Sequence, residues 1–187
     1  SLNRHLGEKQ IIAEDLGFLT DTVVQLLKDS GYPGMKVLEF AFDPREETDY
    51  LPHSYDRNCV VYTGTHDNET LVQWYKGLDL ESKDFATEYM DNASTPEDEK
   101  YWDFVRMAMM SSANTCIIPV QDYLGLDAES RINHPSTLGG NWEWRMSADM
   151  MDKAALEKIY RLTRISSRLS EEKQREENEK KELKLKK

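Results

Sequence analysis

Apolar positions along the chain gather into four short runs, residues 10–13 (QIIA), 36–42 (KVLEFAF), 59–63 (CVVYT) and 115–120 (TCIIPV). Each has strand length, is rich in β-branched or aromatic residues, and is bounded by polar or turn-forming ones. Helical patterns lie between them. Thr20 followed by residues 21–28 reads as a capped amphipathic helix stopped by Gly31 and Pro33. Over 96–113, Trp102, Val105, Met109 and Ala113 share one helical face. Strands that alternate with helices predict parallel β/α units. Residues 43–58 hold two prolines and no long helical pattern, yet supply the dozen or so residues that a parallel crossover needs. Residues 77–95 read as a polar, irregular insertion. Beyond Asp149 a helical pattern runs through Leu156, Ile159, Tyr160, Leu162 and Ile165. From Ser170 the chain is almost wholly Glu, Lys, Arg, Gln and Asn. Pairs such as Glu171/Arg175 and Glu177/Lys181 would support a solvated helix there, and the tail reads as a fraying terminus. No internal repeat is evident.

The residues that follow each run carry the chemistry. The first run ends in Glu14-Asp15, the second in Asp43, the third in Thr65-His66-Asp67-Asn68 and the fourth in Gln121-Asp122. In a β/α barrel, catalytic groups sit at the carboxyl ends of strands. A doubly wound sheet also places polar groups there, so the pattern favours the barrel only modestly. Paired carboxylates in such a mouth suit glycosidic chemistry, which needs a proton donor for the leaving oxygen and a second carboxylate across the sugar. Glu14 and Asp15 cannot be that pair, because adjacent strand residues point to opposite faces.

Composition narrows the setting. The 187 residues amount to about one domain. With 39% apolar residues, four Trp, nine Tyr and five Phe, the chain can build a core. A net charge of -11 would repel nucleic acid and anionic membranes, whereas a neutral carbohydrate is compatible with it. No apolar run approaches the roughly 20 residues of a membrane span, and residues 1–7 hold no signal-peptide core. Cys59 and Cys116 lack metal-ligand spacing and sit in apolar runs as small buried thiols. The expectation is a soluble, cytoplasmic protein without a metal or organic cofactor. The opening Ser1 in place of Met adds the expectation that the sequence begins in mid-protein, and His5 is expected to be disordered.

Taken singly, the candidate residues have structural readings. Glu14 would serve as a cap, Asp67 and Asn68 would cap a helix beginning near residues 69–71, and His66 would be a satisfied core histidine. His53 and His134, beside prolines in loop-like context, are read as structural. Met109-Met110 and Met150-Met151 are read as core filling. Trp142 and Trp144 fit either a sugar platform or packing.

An ordered set of motifs changes the balance. Residues 11–17 (IIAEDLG), 34–38 (GMKVL), 51–53 (LPH) and 62–68 (YTGTHDN) together resemble the amylomaltase, or plant disproportionating enzyme, family. Residues 119–122 (PVQD), Gly125, 131–133 (RIN) and 140–145 (GNWEWR) continue the match in order. The resemblance covers roughly residues 10 to 165, too long and collinear for a chance motif hit. It implies the C-terminal half of a (β/α)8 TIM barrel, with four parallel strands and a following C-terminal helix. Residues 1–169 would belong to the catalytic domain and 170–187 would form a charged, solvated tail.

The implied activity is that of a 4-alpha-glucanotransferase, moving α-1,4-glucan segments from a donor to an acceptor sugar by a retaining double displacement. By the same resemblance Glu14 is the general acid/base and Asp67 the third carboxylate, which stabilises the transition state. His66 is a histidine that donates to a sugar hydroxyl, and Asn141 is a glucan-contacting asparagine. The family's nucleophilic aspartate belongs to the strand before the one carrying Glu14, and residues 1–9 contain no Asp. The sequence is therefore expected to lack the nucleophile and the N-terminal half of the barrel, and to be inactive alone. The alternatives are a non-catalytic truncated fragment and an α-glucan hydrolase of the α-amylase type.

Overall fold

The computed structural model describes residue 7, residues 9–17 and residues 19–185; His5 lies outside them. The described chain falls into two compact units, Ser1–Met146 and Ser147–Lys187.

The first unit is α/β. Its elements are α1 (Asp21–Ser30), β1 (Gly34–Val37), β2 (Cys59–Tyr62), α2 (Leu71–Gly77), α3 (Leu80–Met90), α4 (Lys100–Met110), β3 (Thr115–Ile117) and α5 (Val120–Leu124). The three strands pair in parallel in the order β1-β2-β3. Gly34 lies opposite Cys59, and Tyr62 lies opposite Ile117. The central strand is apolar at successive positions because both of its faces are covered, as parallel sheets require; Cys59, Val60 and Val61 are at most 3% exposed.

Only three of the four expected strands form among the described residues. Residues 10–13 pass beside β1 but contribute one bond, from Ala13 N–H to Pro33 O at 2.9 Å. The next β1 donor, Met35 N–H, is taken by the Asp15 carboxylate at 2.6 Å, so a side chain replaces the neighbouring strand's carbonyl and the ladder stops. The second run also forms its strand earlier than expected. After Val37 the chain tightens into a 3-10 turn over Leu38–Phe40, closed by Ala41 N–H to Leu38 O at 2.9 Å.

The region read as an irregular insertion contains α3. Its start is fixed by Asp79, whose carboxylate accepts Ser82 N–H at 2.8 Å. Helix α2 is capped by Thr70, which accepts Gln73 N–H at 3.3 Å, and not by Asp67 or Asn68. Helix α1 ends at Gly31, whose φ of 70° is the left-handed conformation that favours glycine at a C-cap.

The helices meet the sheet through an aromatic cluster. Phe42 and Phe104 contact edge to face at 5.3 Å, and Trp74 meets Phe104 the same way at 5.1 Å. Phe85 and Tyr89 of α3 pack on Phe42 from a further side. Phe42 and Phe104 are both at most 1% exposed, and each such burial is worth about 1.5–3 kcal/mol. Through Phe42 the helices are thereby tied to the loop that leaves β1.

The second unit holds α6 (Lys153–Ile165) and α7 (Glu171–Leu185). Asp152 caps α6 by accepting Ala155 N–H at 2.8 Å, and the Tyr160 hydroxyl donates to Glu177 of α7. Arg175 turns to the Glu171 carbonyl at 3.4 Å rather than to its carboxylate. Among the described residues no helix is long and apolar enough to cross a membrane.

Candidate active site

A cleft of about 420 Å³ lies past the carboxyl ends of β2 and β3, whose last residues Tyr62 and Ile117 line it. Glu14, His66 and Asp67 line it together. The segment before β1 brings Glu14 there, while its neighbour Asp15 turns the other way onto Met35 N–H.

The loop after β2 is wound into a turn by its own side chains. Asn68 Oδ1 accepts both Thr65 N–H at 3.0 Å and the Thr65 hydroxyl at 2.7 Å. The Thr65 hydroxyl oxygen in turn accepts Asp67 N–H at 3.3 Å. This is the local competition with regular structure that short polar side chains provide. It leaves the His66 and Asp67 side chains 57% and 51% exposed, with Nε2 of His66 3.3 Å from Oδ1 of Asp67.

A second loop grips that turn. Asn133 Nδ2 donates to Asp67 Oδ1 at 2.6 Å. Arg131 donates to the Asp67 carbonyl at 2.8 Å, to the Glu69 carboxylate at 3.2 Å and to the Asn133 carbonyl at 2.9 Å. A planar guanidinium with several fixed donors suits this three-way tie. Arg131 and Asn133 have no chemical signal of their own in the sequence, which offers them only as part of the matching stretch 131–133. Trp142 packs its ring at 5.3 Å from that of His66, tilted 36°, and is 54% exposed. It leaves one rim of the site aromatic.

Asn141 is not among the residues lining this cleft. Its amide is used within its own loop, where Oδ1 accepts His134 N–H at 2.8 Å and Nδ2 donates to the Thr137 hydroxyl at 3.1 Å. His53 lies elsewhere, with Nδ1 3.0 Å from the Tyr89 hydroxyl. Asp43 pairs with Arg45 at 2.6 Å, and this partner holds its carboxyl below the ordinary aspartate range.

Two buried carboxyls stand at the cleft, Asp122 among its lining residues and Glu39 beside the lining Gly64. Asp122 is 1% exposed. It accepts Leu71 N–H at 2.9 Å and the Thr63 hydroxyl at 2.5 Å. Burial pushes its carboxyl up to about 6, although those two donors pull the other way. Glu39 is 8% exposed. Burial above all, then the charge of Asp122, raises its carboxyl well above the ordinary glutamate range; a hydrogen bond with the Asn68 side chain and the charge of Arg131 offset this in part. A sequence pattern cannot mark Glu39, which sits in an apolar run where only the fold reveals its burial.

Comparison with known proteins places this arrangement. A family described as 4-alpha-glucanotransferase matches residues 1–151. A 4-alpha-glucanotransferase of Clostridium butyricum is 45% identical over 169 residues, 89% of this chain and 34% of that protein. A chloroplastic or amyloplastic 4-alpha-glucanotransferase of Arabidopsis thaliana is 46% identical over 146 residues, 78% of this chain and 25% of that protein. Among solved structures, an amylomaltase from Streptococcus agalactiae in complex with acarbose superposes with a TM-score of 0.83 at 36% identity, covering 90% of this chain and 34% of that one. The chain thus spans about a third of the length of these bacterial relatives.

Proposed function

Because the chain belongs to the 4-alpha-glucanotransferase family, we propose that it is the C-terminal part of an enzyme that transfers α-1,4-glucan segments between sugars. Residues 1–169 would form the C-terminal half of a (β/α)8 barrel, with 10–13 completing a fourth strand once the N-terminal half is present. Residues 170–187 would extend beyond it as a charged tail. The cytoplasm is proposed as its place, in keeping with Cys59 and Cys116 standing as thiols.

The observation that carries the reading is the meeting of Glu14, His66 and Asp67 in one cleft. In the reaction, the protonated Glu14 carboxyl gives its proton to the glycosidic oxygen of the donor as that C–O bond breaks. The anomeric carbon passes to an aspartate on the preceding strand, outside this sequence, which forms the covalent glycosyl intermediate. Glu14, now a carboxylate, takes the proton of the acceptor hydroxyl as that oxygen attacks the anomeric carbon and displaces the aspartate. Asp67 and His66 hold ring hydroxyls through the oxocarbenium-like state, and Trp142 offers a face on which a sugar ring can stack. Asn141 would reach glucan only after leaving its bonds to His134 and Thr137.

Acarbose titrated into the 187-residue chain tests the site assignment. The expected result is chemical-shift change confined to Glu14, Thr65–Asn68, Asn133 and Trp142. Binding that perturbs none of them would refute the assignment. Maltotriose incubated with the same chain is expected to stay unchanged, and formation of longer maltooligosaccharides would show that the sequence carries its own nucleophile.

A further inference from the structure

We propose that Glu39 is a positioning residue for the site: from beside Gly64 it holds Asn68, and through Asn68 the turn that presents His66 and Asp67. The geometry is close. A Cβ built on Gly64 would stand 2.7 Å from Glu39 Oε1 and 3.0 Å from Asn68 Cβ, so both side chains crowd the same glycine, and the Asn68 side chain acts on the Glu39 carboxyl by a hydrogen bond. The backbone of Glu39 is tied to the same loop, its N–H donating to Thr63 O at 3.2 Å. Asn68 then fixes Thr65, and Thr65 receives Asp67 N–H. The chain of contacts runs from a buried carboxyl to the carboxylate in the mouth of the cleft.

The state of Glu39 decides how strongly this support pulls on Asn68. Its Oε1 is buried without a hydrogen-bond partner, which is costly for a charged carboxylate and tolerable for a neutral carboxyl. The groups that act on it are Asp122 from α5, Glu69 before α2, Asn68 in the turn and Arg131 from the gripping loop. Two of these are carboxylates and one is a cation, and among the described residues no group of three or more His, Cys, Asp or Glu could hold a metal ion to balance them. A proton is the remaining balance, and Glu39 carries it while Asp122 answers to Leu71 and Thr63. When pH rises enough to remove that proton, the charge formed beside Gly64 draws on the Asn68 side chain more strongly, since that bond favours the carboxylate, and the turn moves with Asn68.

The inference rests on the preceding reading for the roles of His66 and Asp67, but not for the coupling itself. The test is a pH titration of the isotope-labelled chain by NMR, following the Glu39 carboxyl carbon and the amides of Thr65, Asp67 and Asn68. The expected result is that the carboxyl titrates above the ordinary glutamate range and the three amides move with the same midpoint. Glu39→Gln is expected to hold the amides at their low-pH positions throughout, and Glu39→Ala to displace them at every pH. Amides that ignore the Glu39 titration, or Glu39→Gln amides that match the high-pH wild-type pattern, would overturn the proposal. Because no sugar is present, this outcome is independent of the acarbose titration, whose failure counts against the glucan reading alone.

Discussion

Asn133 Nδ2 stands 2.6 Å from Oδ1 of Asp67, joining two loops that are 66 residues apart. The bond fixes one carboxylate oxygen, and in the proposed reaction the other would meet a sugar hydroxyl. A hydrogen bond to a charged group is worth about 1.5–3 kcal/mol. Asn133→Ala is therefore expected to weaken acarbose binding by roughly tenfold or more, measured by titration of the purified chain. Equal affinity in the variant would show that Asp67 needs no such tether.

Asp122 gives the chain a definite pH signature. Its carboxyl sits at about 6 in the fold, above the ordinary aspartate value of 3.8, so the native state binds the proton more tightly than the unfolded chain does. Its contribution to stability is fully present below about pH 4 and is lost as pH rises through about 6. Asp122→Asn is expected to flatten the fall of Tm across that window relative to the wild type. Several surface aspartates, Asp79 and Asp127 among them, are shifted down and contribute the opposite slope; the difference between the two proteins removes these and reports Asp122 together with the part of the Glu39 shift that its charge causes. Parallel Tm profiles would refute its raised affinity for the proton.

Gly64 is required for space. The added methyl of Gly64→Ala would lie 2.7 Å from Glu39 Oε1, and overpacking of this kind costs about 1–3 kcal/mol. Glu39→Ala opens that space, so the double variant is expected to lose less stability than the sum of the two single ones, by about 0.5 kcal/mol or more. Strict additivity in denaturant unfolding would show that the two positions do not share the contact.

How much of this was legible in the sequence varied with what each feature depends on. Cys59–Tyr62 reads as a buried strand because its apolar residues are consecutive, and the parallel β/α architecture follows from the alternation of runs. Residues 10–13 read equally well as a strand, but pairing depends on which group takes Met35 N–H, and Asp15 takes it. Helix α3 escapes the pattern because its apolar and polar positions separate only weakly into two faces; the Asp79 and Ser82 pair at capping distance is the usable sign. Glu14, His66 and Asp67, which line one cleft, are candidates through an ordered resemblance, since a lone carboxylate or histidine has several commoner uses. Arg131, Asn133 and Glu39 act through distances across loops, which no local pattern encodes. Asn141, expected at the sugar, braces its own loop in this structure through His134 and Thr137, a pairing that no local pattern marks.

The most direct test puts this chain in place of the matching segment of the Clostridium butyricum relative and measures disproportionation of maltotriose. The account predicts that the chimera makes glucose and longer maltooligosaccharides, and that Glu14→Gln lowers the rate about a thousandfold, as loss of a general acid/base does. A folded chimera whose Glu14→Gln variant is as active as its parent would contradict it.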